Sequence, residues 1–252
     1  MTEPSGRPRR AGRAHARPRD EGSWAPNVRR LAVTRAGGAN VAGRRLNGPV
    51  QGFGQMWQKT YRLDLGPDVP PRAAIATWKA HFGEFWPPGS RFDKSLTGIS
   101  PGDVALLDVG LGGGVRLSTG VFVLYADEES FTLMTPQGHM FAGWITFSAA
   151  RSPRQPHPVT TVQAQVLMRA NDPLYELAMA LGGHRKEDRF WIQTMTALGR
   201  YLGAPPAPVS ANIVCVDPRR QWRKAGQVWQ NSMVRTMLRS ATAPLRSRSR
   251  AA

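Results

Sequence analysis

An α+β fold, with an antiparallel sheet of about six strands followed by a long helix, is predicted by three features of the chain. Five β-patterned segments succeed one another between residues 104 and 169 with only short turns between them. One strand-like and one helix-like segment precede them, and a helical apolar stripe follows over 174–202. No helical stretch intervenes to carry a parallel crossover, so the five segments should pair as an antiparallel meander.

Each element has its own signature. In residues 55–65, Trp57, Tyr61, Leu63 and Leu65 share one parity while Gln58, Thr60, Arg62 and Asp64 share the other; Lys59 breaks the pattern once. That alternation describes a strand with one covered and one wet face. Gly66-Pro67-Asp68 ends it, and Pro70-Pro71 opens a helix carrying Ala74, Ile75, Trp78 and Phe82 at helical spacing. Phe85-Trp86-Pro87-Pro88 must leave that helix. The meander strands are expected at 104–109, 115–125, 131–135, 140–149 and 159–169, separated by hairpin-length punctuation. Asn171-Asp172-Pro173 then supplies a capping side chain and a proline at the first helical position. Gly182-Gly183 should break or kink the helix, which resumes from Arg185 with Phe190, Trp191, Met195, Leu198 and Leu202 on one stripe.

Charge divides the chain differently. Residues 1–46 hold 11 Arg against 3 acids and residues 203–252 hold 9 basic residues against 1 acid, a net +8 at each end, whereas the middle carries only +1. We therefore expect a disordered Arg-rich extension over 1–50, a folded domain over 51–203, and a basic extension over 204–252 containing an amphipathic helix near 220–240. Arg outnumbers Lys 29 to 5, a bias that a GC-rich gene produces without selection for binding. A flexible polycation still attracts nucleic acid or an anionic membrane surface weakly and in a salt-dependent way. Cys215 is the single cysteine, which excludes an internal disulfide and a cysteine-rich zinc site, and it fits a reducing, cytoplasmic setting. No apolar run approaches a membrane span.

The order strand, helical excursion, antiparallel meander and late helix resembles the START-like, or SRPBCC, helix-grip superfamily. Residues 63–78, Leu-Asp-Leu-Gly-Pro-Asp-Val-Pro-Pro-Arg-Ala-Ala-Ile-Ala-Thr-Trp, and the turn Glu84-Phe85-Trp86-Pro87 look like that family's first strand, Pro-led helix and aromatic turn. The resemblance covers about residues 55–203 and implies a sheet curled around the final helix, with a cavity between them. It implies binding of a hydrophobic small molecule or lipid, or a cyclase or dehydratase using the same cavity, and no cofactor. A third class is an interaction protein that docks on anionic partners through its basic ends.

Chemical motifs are few. Gly110-Leu-Gly-Gly-Gly114 lacks the sixth glycine and the following helix of a dinucleotide fingerprint, so a hairpin is the reading. His81, His139 and His184 show no helical i, i+4 ligand pairing, and no metal site is predicted; His139 should be an exposed or capping residue at a turn. The run His184-Arg185-Lys186-Glu187-Asp188-Arg189 reads as a solvated first turn, or else places His184 or Arg189 at the cavity mouth to orient an acidic or carbonyl-bearing ligand. Tyr61, Trp78, Trp144, Met168 and Trp191 complete the candidate ligand-binding set, although parity leaves open which face of the strands at Trp144 and Met168 turns inward. No motif-marked hydrolase, metalloprotease or phosphate loop is present. Val214-Cys215-Val216 suits a packed thiol.

Overall fold

The computed structural model describes residues 23–34, 37–93, 98–112, 115–152 and 158–236. The first alternating segment forms β1 (Met56–Asp64), and the Pro-led segment forms α1 (Pro71–Ala80), which passes through a short 3-10 turn at Phe82–Phe85. A short strand that the sequence did not announce, β2 (Arg91–Asp93), comes next. The meander is β3 (Val104–Gly112), β4 (Val115–Ala126), β5 (Ser130–Met134), β6 (Phe141–Ser152) and β7 (Val159–Ala170). The last helix is α2 (Pro173–Ala178), a π-type widening at Met179–Gly183, then α3 (His184–Tyr201). Gly182, with φ of +110°, makes the break, a conformation that a side chain would strain.

A further strand, β8 (Ser210–Asp217), brings the sheet to eight strands in the order β2-β3-β4-β5-β6-β7-β1-β8, every pairing antiparallel. The meander strands pair neighbour to neighbour, and β1 joins out of sequence between β7 and β8; its pairing with β7 sets Trp57 opposite Met168 and Lys59 opposite Val166. Beyond β1 lies β8, largely exposed, with Ile213 opposite Lys59 and Cys215 opposite Trp57. Cys215 is half-buried at a sheet edge and not enclosed in a core.

Register sorts side chains between two faces. Leu107, Val121, Leu133, Ile145, Phe147, Val166, Met168, Tyr61 and Leu63 share the inner face and belong to one continuous core. At one end α1 fills that face: Trp78 meets Phe147 at 4.9 Å between ring centroids, Phe82 meets Phe147 at 5.0 Å, and Phe131 stacks on Phe147 at 4.6 Å. Over β1, α3 seats so closely that a Cβ on Gly199 would lie 2.9 Å from Leu63 Cδ2.

The outer face carries a smaller core. Leu106 and Phe122 are covered there by Leu31 and Val41, residues that the sequence reading assigned to a disordered extension. Isolated apolar residues ten apart form no periodic pattern, yet each finds the apolar surface that the sheet's second face leaves uncovered. Leu31 N–H donates to Arg44 O at 2.8 Å within this stretch, and Ala25 N–H to Leu124 O at 2.9 Å and Asn47 N–H to Thr135 O at 2.8 Å fasten it to the sheet.

The amphipathic segment near 220–240 is divided. Trp222–Gln230 forms 3-10 turns and residues 232–236 are helical, with extended backbone at Asn231 between them. Trp222 and Trp229 are exposed, while Met233 packs on the main core. Residues 1–22, 237–252 and Gly113-Gly114 lie outside the described residues.

Candidate functional site

Between the inner face and the last helix lies a cavity of about 340 Å³. Its walls are Leu107, Val109, Val121, Leu133, Ile145, Val166 and Met168 from the sheet; Phe82, Trp86 and Phe92 from the α1 side; and Met179, Leu181, Phe190 and Trp191 from the helical arm. The break at Gly182 matters here. It separates α2, which packs on β7 and on the turns at Trp222–Gln230, from α3, which packs on β1. A curved antiparallel meander thus holds a late helix against its inner face and encloses a hollow. This is the helix-grip fold.

No family model matches the sequence, and no curated protein matches it. Among solved structures, the chain is similar to a truncated norcoclaurine synthase from Thalictrum flavum (10% identity, TM-score 0.40, covering 59% of this chain and 95% of that one). It is similar to the ginseng major latex-like protein 151 from Panax ginseng (10%, 0.35, 57% and 97%). It is also similar to the di-domain ARO/CYC StfQ from the steffimycin biosynthetic pathway (9%, 0.43, 59% and 52%).

Ser90, Thr135 and Lys186 interrupt the apolar lining of the cavity singly, and two groups of buried polar side chains reach it, the first through Glu187 alone. The first is built on Lys59, the one residue that broke the strand's alternation. Its register points it inward with Tyr61, and its side chain is fully buried. A charge there requires partners, and the first turns of α3 supply two. Lys59 Nζ donates to Glu187 Oε2 and to Asp188 Oδ1, each at 2.7 Å, and Tyr61 Oη donates to Asp188 Oδ1 at 2.7 Å. One cation therefore faces two carboxyl groups. Glu187, which borders the cavity, bears the cost: burial pushes its pKa up to about 7, Lys59 pulls it down, and Asp188 pushes it up again. Burial, then the Glu187 and Asp188 charges, raise the Tyr61 phenol well above its ordinary value. His184 packs against Trp57 at 4.8 Å, and burial followed by the Lys59 charge lowers it to about 4.

The second group is His139 with Tyr175, both lining the cavity. His139 is not exposed at its turn but buried, and it does cap: Phe141 N–H donates to its Nδ1 at 3.0 Å. Burial lowers its pKa to about 4. Tyr175 stands on α2, whose first turn is fixed by Asp172 accepting from Leu174 N–H and Tyr175 N–H. Its hydroxyl is buried beside Met233 N–H but finds no acceptor for its proton among the described residues, and Trp86 Nε1 in the same lining is likewise unpaired.

The seven sequence candidates divide. Met168 and Trp191 line the cavity. Trp144 borders it, but its register with Met134 and Leu167 puts its side chain on the outer face, where the ring approaches Gly48. Trp78 is fully buried in the α1 aromatic stack, and Tyr61 lies in the Lys59 cluster; neither lines the cavity. His184 sits beside that cluster, and Arg189 is exposed away from the lining because the α3 stripe turns Glu187, Phe190 and Trp191 inward. The charged run at 184–189 is thus no solvated turn throughout: Glu187 and Asp188 close onto Lys59. Lys59, Glu187, Asp188, His139 and Tyr175 were not singled out as site residues. For the first three a signal existed, since a lysine on an inward parity demands acids and the run at 184–189 holds two in adjacent positions.

No group of three or more His, Cys, Asp or Glu among the described residues is arranged to hold a metal. No helix there is long and apolar enough to cross a membrane.

Proposed function

We propose that this protein binds a hydrophobic small molecule or lipid in the cavity between the sheet and the helical arm. One observation carries the reading: a hollow of about 340 Å³ walled mostly by aromatic and aliphatic side chains, with a few polar groups at fixed positions. Ligand sites typically span about 300–1,000 Å³ with that kind of lining, so this cavity suits a compact ligand of one or two rings or a short acyl chain. Entry is open beside Leu181, an exposed residue at the Gly182 break that also lines the cavity.

Native mass spectrometry of the full chain purified from its own host tests this, with Val109→Trp as the filled control. The expected result is a co-purified apolar molecule at one per chain that is missing from the variant, which should melt cooperatively. Equal occupancy of both proteins, or none in either, would refute the reading.

A second reading is an acid–base enzyme of the cyclase or dehydratase kind, and Glu187 is what favours it. A carboxyl group bordering the cavity with a pKa near 7 can hold or release a proton at working pH. A carbon-13 NMR titration of the Glu187 carboxyl group that gave an ordinary value near 4 would remove this second reading and leave the first intact.

A further inference from the structure

The Lys59 cluster satisfies its own hydrogen bonds, but the His139–Tyr175 pair does not. Tyr175 is only 3% exposed. The nearest backbone donor, Met233 N–H, is engaged by Asn231 Oδ1 at 2.9 Å, and the Tyr175 hydroxyl has no acceptor among the described residues. His139 is 7% exposed. Because its Nδ1 accepts the Phe141 N–H, the proton of the neutral ring resides on Nε2, so the ring offers a donor. Both residues flank the same segment. Ser232 N–H donates to Gly138 O at 2.9 Å, next to His139, and Met233 lines the cavity with both.

A hydroxyl buried without a partner is costly, and such a group in a native structure calls for an explanation. Here the hydroxyl borders a hollow large enough for a ligand. Two neutral donors in an apolar cavity match a neutral acceptor oxygen. A carboxylate would enter at a larger desolvation cost and would be drawn to Lys186, an exposed residue that also borders the cavity, and an ammonium group would find only the weak phenol oxygen to accept from it, since the Nε2–H accepts nothing. We infer that Tyr175 and His139 form a donor subsite that takes a carbonyl oxygen, a ketone or a carboxamide, on an otherwise apolar ligand. The inference rests on the cavity being a binding site.

Paired probes separate the two claims. The full-length protein is titrated with 2-acetylnaphthalene and with 2-ethylnaphthalene, which has nearly the same shape and no oxygen; Tyr175→Phe is titrated alongside. The expected result is a preference for the ketone of roughly fivefold to tenfold, the usual worth of a formed hydrogen bond. Tyr175→Phe should lose at least half of that preference on a logarithmic scale and keep its affinity for the hydrocarbon. In the unmodified protein the carbonyl stretch of the bound ketone should fall below its position in dry hexane, so this arm stands whether or not the variant folds. Equal binding of the two probes with an unshifted stretch would overturn the donor subsite and leave the cavity reading in place. Binding of neither probe would overturn the cavity reading and the subsite with it.

Discussion

The two polar groups along the cavity differ in one respect. The Lys59 group is closed on itself: a buried ammonium, two carboxyl groups and a phenol satisfy one another across β1 and α3. The His139–Tyr175 group is open, with donors and no acceptor. The first clamps the helix to the sheet and borders the cavity only through Glu187. The second leaves hydrogen-bonding capacity free, and it is the kind of arrangement that a ligand completes. Polarity in a cavity thus has two meanings, and partner bookkeeping tells them apart.

The sharpest way to break this contrast is to remove the cation. Lys59→Met leaves Glu187 and Asp188 buried without it and should destabilise the protein by about 3–5 kcal/mol, read by urea unfolding at pH 7. A loss under about 1 kcal/mol would show that the cluster does not clamp the helix.

The next largest effect concerns pH. Glu187 is raised from 4.5 to about 7 on folding, so the folded state holds its proton more tightly. Its contribution is fully present below about pH 4.5 and is lost as pH rises through about 7. His139 and His184 act in the opposite sense, since both fall from 6.5 to about 4 and oppose folding increasingly as pH drops through that window. Glu187→Gln should therefore remove the declining Glu187 contribution, steepen the rise in stability that the two histidines produce between about pH 4.5 and 6.5, and stabilise the protein at pH 8 by about 1 kcal/mol, because Asp188 alone still pairs Lys59. Urea midpoints at pH 5 and 8 measure this, and a variant less stable than the parent at pH 8 would contradict it.

The smallest effect, at Tyr175, is read against its counterpart at Tyr61. Tyr61→Phe breaks a hydrogen bond to a charged acceptor and should cost about 1.5–3 kcal/mol, whereas Tyr175→Phe removes an unpaired hydroxyl and should change stability by less than about 0.5 kcal/mol or raise it. Thermal melts of the two variants decide it, and equal losses would erase the distinction between the groups.

Much of this architecture was legible in the sequence. The five meander strands, the Pro-led α1, the Asp172 cap and the glycine break all follow from local chemistry: alternation, fixed φ, a capping oxygen and a positive φ. Other parts depend on distant surface. Leu31 and Val41 have no periodicity, and only the uncovered outer face of β3 and β4 makes them core. The strand β8 is largely exposed because it adds to an edge, so Val214-Cys215-Val216 reads like buried strand without being so. At the site, large apolar side chains drew attention to Trp191 and Met168, which line the cavity, but equally to Trp78, which fills the opposite end. Lys59 was visible as an exception and not as a partner, because its acids lie about 128 residues further along the chain. Tyr175 and His139 gave no signal, since an unpaired donor exists only once the surrounding packing does.

The claim that an apolar molecule enters this cavity is tested most directly by methyl NMR of the full chain labelled at methionine Cε. Met140, Met168, Met179 and Met233 line the cavity; Met56, Met134 and Met195 do not. Addition of 2-ethylnaphthalene should shift the first four resonances and leave the other three in place. Shifts confined to Met56, Met134 or Met195, or no shift at saturating probe, would contradict the account.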